Sequence, residues 1–445
     1  MPGGTWTAQN KIRPGAYLNF KSVPRPVSIV GDRGIVSFPM ALTWGAEGEL
    51  IDFYSDELLN DLVFQSTLGM TAHDEAARPV ITALSHSYLA RIFRLDRGGT
   101  KASVTAGELT VTAKHPGTFG NEITMVIEQD GALYNVLTYV RGSLRDTQRV
   151  AVIGELDENA FVTFGGDAAE ALTIISSTPL MGGTNGTVNE ATAYEEYAKL
   201  LLTARVNTFA VPSNETTIQA KMALFVEEQR DQMGRKMQCV VHSFEAADHE
   251  GVIRLKNAPV FGQDEMSLSD TTILFAGMSA GVALTEDNTA RLINGATGVT
   301  GNMTPRDIDA ALRRSWIVFA TSSDGSVRVV DDINSLHTFT QEKNEAFREN
   351  MIIRTLDELG TVIPFIWENT FMGRVLNNED GRALFKGAII GLINDRQAMG
   401  LFENFNGAED VDVRKGEKPT AVVATARVIP VGMMKHLYMT FEVNV

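Results

Sequence analysis

Gly277-Met278-Ser279-Ala280-Gly281 has the G-x-S-x-G spacing of a nucleophile elbow. There a strained strand-to-helix turn offers a serine hydroxyl to a histidine base and two backbone donors. The preceding run, Thr271 to Ala276, reads as a buried strand, and Asp331, Asp332 and His337 follow in the order serine, acid, histidine. The chemistry on offer is acyl transfer. Against it, no HGG-like segment lies upstream to supply oxyanion donors, and the whole triad is crowded between positions 279 and 337. The same glycines and alanine suit a loop packed closely on a neighbouring element.

Asp248-His249-Glu250, near His242, invites a metal or an acid–base pair. Consecutive residues of an extended chain point in alternate directions, so these three do not converge on one ion without a special turn. No H-E-x-x-H or paired C-x-x-C accompanies them, and a polar loop is the expectation. Gly182-Gly183-Thr184-Asn185-Gly186 lacks the Lys and Ser or Thr of a phosphate loop, and no G-x-G-x-x-G opens a helix. The residues therefore call for no catalytic site, cofactor or metal.

The elements behind these residues fall into distinct patterns. Residues 1–25 carry Gly3, Gly4, Pro14, Gly15 and Pro24 around a short extended run, Ala16, Tyr17, Leu18, Asn19 and Phe20, and read as an arm. Residues 26–99 read as a small α/β unit, with strand-like VSFPMALTW, amphipathic Asp56 to Leu68 and apolar Tyr88 to Leu95. Over 100–186 the period becomes two, in short β-prone runs parted by Gly, Asp and Asn. Asp130-Gly131 there signals a type I′ hairpin, and an inserted antiparallel β domain is expected. Over 187–340 strands and helices alternate, which implies a central α/β domain with a partly parallel sheet. Two long helical patterns, Asn344 to Leu359 and Asp380 to Met399, then precede a strand pair, Asp410 to Arg414 with Ala421 to Val431. Residues 341–432 are thus an α+β domain, and 433–445 a terminal strand. In that strand Leu437, Met439, Phe441, Val443 and Val445 face one way, and Tyr438, Thr440, Glu442 and Asn444 the other.

Composition narrows the function. With 55 acidic against 39 basic side chains the net charge is -16, which opposes any role that neutralises nucleic-acid phosphates. The lone Cys239 sits in an apolar run and reads as a small core residue. The opening MPGGTWTAQN lacks the character of a signal peptide, and no stretch nears the roughly 18 apolar residues of a membrane span, so cytoplasmic synthesis without membrane insertion is expected. What remains is a pair of terminal strands in need of partners. Pairing inside the chain and addition to another copy are both open, and Gly15, Pro24, Pro26 and Gly432 are placed as flexible tethers for the second.

Several segments decide between them by likeness. RPGAYLNF, GIVSFPMALTWG, AKHPGTFGNEI (Ala113 to Ile123), GGTNGTV, DHEGVI, AGMSAG, VRVVDDINSLHTFT, GRVLNNEDGRALFKG and MKHLYMTFEVNV resemble, in order along the chain, the contractile tail sheath family, of the type found in phages, phage-like particles and tailocins of Gram-positive bacteria. The resemblance implies a virion structural protein that stacks as hexameric rings around an inner tail tube, with baseplate and tail terminator proteins as further partners. It implies arms exchanged between subunits, here Ala16 to Phe20 and Leu437 to Val445, and a contraction that drives the tube through a cell envelope. The β domain would lie outside and the C-terminal domain would face the tube. It implies a subtilisin-like shape for the central domain without its activity. Another structural part of such a machine, or a serine hydrolase, are the alternatives.

Overall fold

The computed structural model describes residues 33–301 and 303–443. The N-terminal arm expected at Ala16 to Phe20, with Gly15, Pro24 and Pro26, lies outside the described residues, as do positions 444 and 445. No helix among the described residues is long and apolar enough to cross a membrane.

The core is one six-stranded sheet built from both sides of the β insertion. In chain order its strands are β1 (Ile35–Met40), β2 (Leu50–Tyr54), β3 (Leu89–Arg94), β4 (Thr208–Ala210), β5 (Gln238–Val241) and β6 (Val252–Arg254), and their spatial order is β6-β5-β4-β1-β3-β2. All neighbours are parallel except β2 and β3, which run antiparallel with Leu50 opposite Phe93. The segments expected as a small unit and as a central domain therefore share a sheet, joined where Val36 pairs with Thr208.

A parallel sheet must be covered on both faces. Alternate residues sort accordingly: Val240 faces a cluster with Phe38, Leu274 and Phe275, while Cys239 and Val241 face a second with Tyr197, Phe209 and Met222. On the first face lie helices α1 (Arg78–Leu84) and α4 (Leu268–Gly281), and on the second α2 (Glu190–Leu201) and α3 (Thr216–Asp231). The strand expected at Thr271 to Ala276 is in fact the middle of α4. Every residue from Thr271 to Ala280 is buried, so this helix has no polar face and no 3.6-residue period to betray it. Its start was nonetheless written, because the Ser267 side chain accepts a hydrogen bond from the Asp270 amide at 2.9 Å.

The inserted domain is a sandwich of a three-stranded and a four-stranded antiparallel sheet over a core that includes Val111, Phe119, Met125, Val136 and Phe161. Its two stalk strands, Asp96–Arg97 and Thr187–Val188, pair with each other. The stalk is pinned by buried Arg94, which donates to Asp96 and to the carbonyl oxygens of Gly45, Pro116 and Asn185. Ala113 to Ile123 lies at this seam, with His115 and Phe119 each edge-on to Trp44 at 5.2 Å. The expected hairpin forms, but Asp130 pairs with Leu133, so its central residues are Gly131 and Ala132. Of these only Gly131 has positive φ, the II′ pattern; the I′ pattern belongs to the next turn, where Arg141 and Gly142 have φ of 49° and 76°.

Beyond the core come α5 (Asn350–Ile366), a π-turn at Trp367–Phe371, α6 (Glu379–Ala398) and a two-stranded ribbon, β7 (Val411–Lys415) with β8 (Val422–Ala426). Of the terminal strand expected over 433–445, the described residues up to Val443 form no ladder with any other described strand.

Candidate functional site

The geometry at Ser279 is not that of an elbow. Ser279 is wholly buried inside α4, its hydroxyl 3.5 Å from Thr208 Oγ1 and its carbonyl oxygen accepting from Arg33. The glycines of the motif serve packing. Four residues apart on one helix face, Gly277 and Gly281 let α4 press against α1 and the turn after it, where added Cβ atoms would collide with the carbonyl oxygens of Ala83 and His86. The supposed partners are engaged elsewhere. Asp332 binds Arg354 and Asn350, Asp331 binds Lys435, and His337 Nδ1 lies 3.2 Å from Asp248.

The second candidate does converge in part. Ligand atoms of Asp231, His249 and Glu250 lie within 4.8 Å of one another. The place of a cation is already taken, however, by Lys343 Nζ, 2.9 Å from Glu250 and 3.6 Å from Asp231. Burial opposes ionisation of Glu250, but His249, Lys343 and Arg230 outweigh it and hold the carboxyl below its ordinary range. Asp248 instead accepts the amides of His337 and Thr338, which ties two loops together.

Two uncovered surfaces lie towards the C-terminal end of the described residues. The ribbon β7–β8 pairs with no further strand among the described residues, and only Val411 among the β7 residues is buried. Beside it a groove of about 470 Å³ opens between the π-turn, α6 and the turn of the ribbon. Its walls are Trp367, Phe371, Leu376, Arg382, Phe385 and Val422. Trp367 and Phe371 each meet Phe385 edge-on, at 4.9 and 5.0 Å, so the floor is a rigid aromatic cluster. Val422 is both groove wall and first residue of β8, so a strand that pairs only with β7 among the described residues borders an apolar concavity, with Asn377 donating to the carbonyl oxygens of Pro419 and Ala421 at its rim.

The last described segment is the converse surface. Leu437, Tyr438, Met439, Phe441 and Val443 are all exposed, Tyr438 at 92%. Five large apolar side chains in seven residues are left without cover, which is costly in water unless another surface takes them. The strand pair behind them, Phe402–Glu403 with Ile429–Pro430, and the Val431 amide bonded to Leu401 at 3.0 Å, fix where the segment leaves the body.

Two features were not foreseen. A stripe of polar residues at i, i+4, i+7 and i+8 on α5, Asn350, Arg354, Asp357 and Glu358, is buried rather than solvated. It docks the helix through Arg354–Asp332, the bidentate Arg230–Asp357 pair at 2.8 and 2.7 Å, and Arg396–Glu358. Their spacing was visible in the sequence, but reads equally as a solvent face. The other feature is Lys435, whose side chain is buried among Asp287, Asp331 and Glu349; nothing in the local sequence marks it.

Three family models match in series: the phage tail sheath protein beta-sandwich domain over residues 97–185, the phage tail sheath protein central domain over 187–335, and the phage tail sheath C-terminal domain over 342–444. A sheath tail protein of Desulfitobacterium hafniense is 34% identical in its crystal structure, with a TM-score of 0.76 over 94% of this chain and 100% of that one. The phage-like element PBSX protein XkdK of Bacillus subtilis (strain 168) is 29% identical over the full length of both chains. At 12% identity and a TM-score of 0.57, over 96% of this chain and 98% of the other, the fold is also that of the helical sheath of the anti-feeding prophage in its contracted state.

Proposed function

The chain belongs to the phage tail sheath family, and we propose on that premise that it is the repeating subunit of a contractile sheath. Its subunits form hexameric rings stacked around an inner tube. The sheath ends on a baseplate and a terminator, and shortens to drive the tube through a target envelope. Assembly takes place in the cytoplasm of the producing bacterium, and the finished sheath is part of a phage or phage-like tail.

The observation that carries this reading is the pairing of two unsatisfied surfaces on one molecule: the uncovered apolar segment Leu437 to Val443 and the ribbon beside an aromatic groove, which pairs with no further strand among the described residues. The segment of one copy adds a strand to the ribbon of the next, with Leu437, Met439, Phe441 and Val443 facing the groove. Because donor and receiver are different patches, the contact is heterologous and propagates into rings or a helical lattice instead of closing a dimer. The strand gains about 2 to 5 kcal/mol from three or four backbone hydrogen bonds at roughly 0.5 to 1.5 each. Each large apolar side chain it buries adds about 1.5 to 3 kcal/mol. One arm holds weakly, and a lattice in which every subunit gives and receives holds well.

Assembly on the tube traps an extended lattice. A baseplate signal releases it, and subunits move outward into a shorter, wider one with more favourable contacts. Stored contact energy suffices for this, and no nucleotide site is required. An arm removed by ending the chain at His436 leaves a folded subunit with an unchanged melting temperature that no longer sediments as long polymers. Normal polymer growth by the truncated chain would rule the arm reading out.

A further inference from the structure

If the C-terminal segment is an arm, as proposed above, its length and direction depend on where it is tied down. The sequence points to Gly432 as the tether. The structure instead returns the chain to the body three residues later, through a single side chain. Met434 is fully exposed and Leu437 is 82% exposed, but the Lys435 side chain between them is only 10% exposed. Its ammonium lies 2.6 Å from Asp331 Oδ1 and 3.4 Å from Asp287 Oδ2, and touches Glu349 Oε2.

The three carboxylates come from separate places. Asp287 follows α4, Asp331 follows the strand Val327–Val329, and Glu349 is the N-cap residue of α5. Lys435 therefore ties the end of the chain to the junction between the central sheet and the C-terminal helices. The site favours a cation: burial, with Asp332 beside Asp287 and with Asp331 and Asp287 beside Glu349, raises the carboxyls of Asp287 and Glu349, and Lys435 is the largest influence opposing this at each. One exposed backbone segment held by one buried ammonium is a pivot, since the residues on either side make no comparable contact among the described residues.

We propose that Lys435 is the positioning residue of the C-terminal arm: the free arm begins at His436, and Gly432 lies on the anchored side. The consequence is a limit on reach. Ten residues from His436 to Val445 span at most about 33 to 36 Å, whereas a tether beginning at Gly432 would give about 46 to 50 Å. A neighbour's receiving ribbon must stay within the shorter distance in every lattice state, or the clamp must open.

The test uses the full chain with Lys435→Met, which keeps the stem and removes the charge, and Lys435→Arg, which restores it. Backbone order at residues 432–436 of the unassembled subunit is read by nitrogen-15 relaxation, and polymer length is read by electron microscopy. The expected result for Lys435→Met is a fall of the order parameters at 432–436 towards those of a free chain with β1 to β6 unchanged, together with shorter or irregular polymers, both reversed by Arg. Should the Met variant fold poorly, Asp331→Asn gives the same local loosening in smaller measure. Unchanged order at 432–436 in the Met and Asn variants overturns the clamp. Loosening with normal polymers overturns its role in assembly. If the chain truncated after His436 also polymerises normally, it is the arm reading that has failed, while the order parameters still decide the clamp.

Discussion

At the scale of single residues, polar side chains do structural work here that their sequence motifs assign to chemistry. Ser279 sits in a helix, His337 steadies a loop through Asp248, and Asp332 neutralises Arg354. His86 and His115 give the clearest pH signature. Burial, assisted by Arg291 for the first and by Lys101, Lys114 and Arg94 for the second, lowers both from 6.5 to about 4. Between those values the unfolded chain binds protons that the folded chain refuses, so stability must fall as pH drops from 6.5 towards 4 and level off below. The lowered carboxyls of Glu250 and Asp332 act in a lower window, since their contribution is lost only as pH falls below the ordinary carboxylate range. Melting temperature measured against pH should therefore show two separate declines. His115→Phe, which keeps the edge-on contact with Trp44, should shallow the upper one and leave the lower one in place.

At the scale of elements, what could be read depended on whether burial left a period behind. β5 and α3 were legible because an apolar run and an amphipathic stripe each have the length and spacing of their type. α4 was not, because a helix buried on all sides and a buried strand present the same apolar run; the Ser267 cap was the overlooked signal. The polar stripe of α5 was visible yet ambiguous, since nothing local distinguishes a solvated face from one that meets Arg230, Asp332 and Arg396 across the molecule. That stripe makes the C-terminal helices continuous with the core. Arg354→Ala leaves Asp332 charged, buried and unpaired, and should destabilise the fold by about 3 to 5 kcal/mol. Denaturant titration checks this, and a loss under 1 kcal/mol would mean that the stripe does not hold the helix.

At the scale of the whole molecule, the described residues bury their cores but leave the apolar segment Leu437 to Val443 uncovered. Segment order along the chain marks the β insertion and the C-terminal α+β region, but not that Ile35–Met40 and Thr208–Ala210 lie side by side, because pairing across the insertion leaves no local trace. The uncovered segment was legible as a strand from its alternation, and its lack of a partner among the described residues only from the fold. A net charge of -16 keeps dilute subunits apart, and salt relaxes that repulsion within about 10 Å at 0.1 M, so growth should be favoured as ionic strength rises. Negative-stain electron microscopy of the purified, concentrated full-length chain across a range of salt tests the central claim most directly. Hollow, regularly striated tubes or stacked rings are the predicted result; dispersed monomers at every salt concentration would contradict self-assembly.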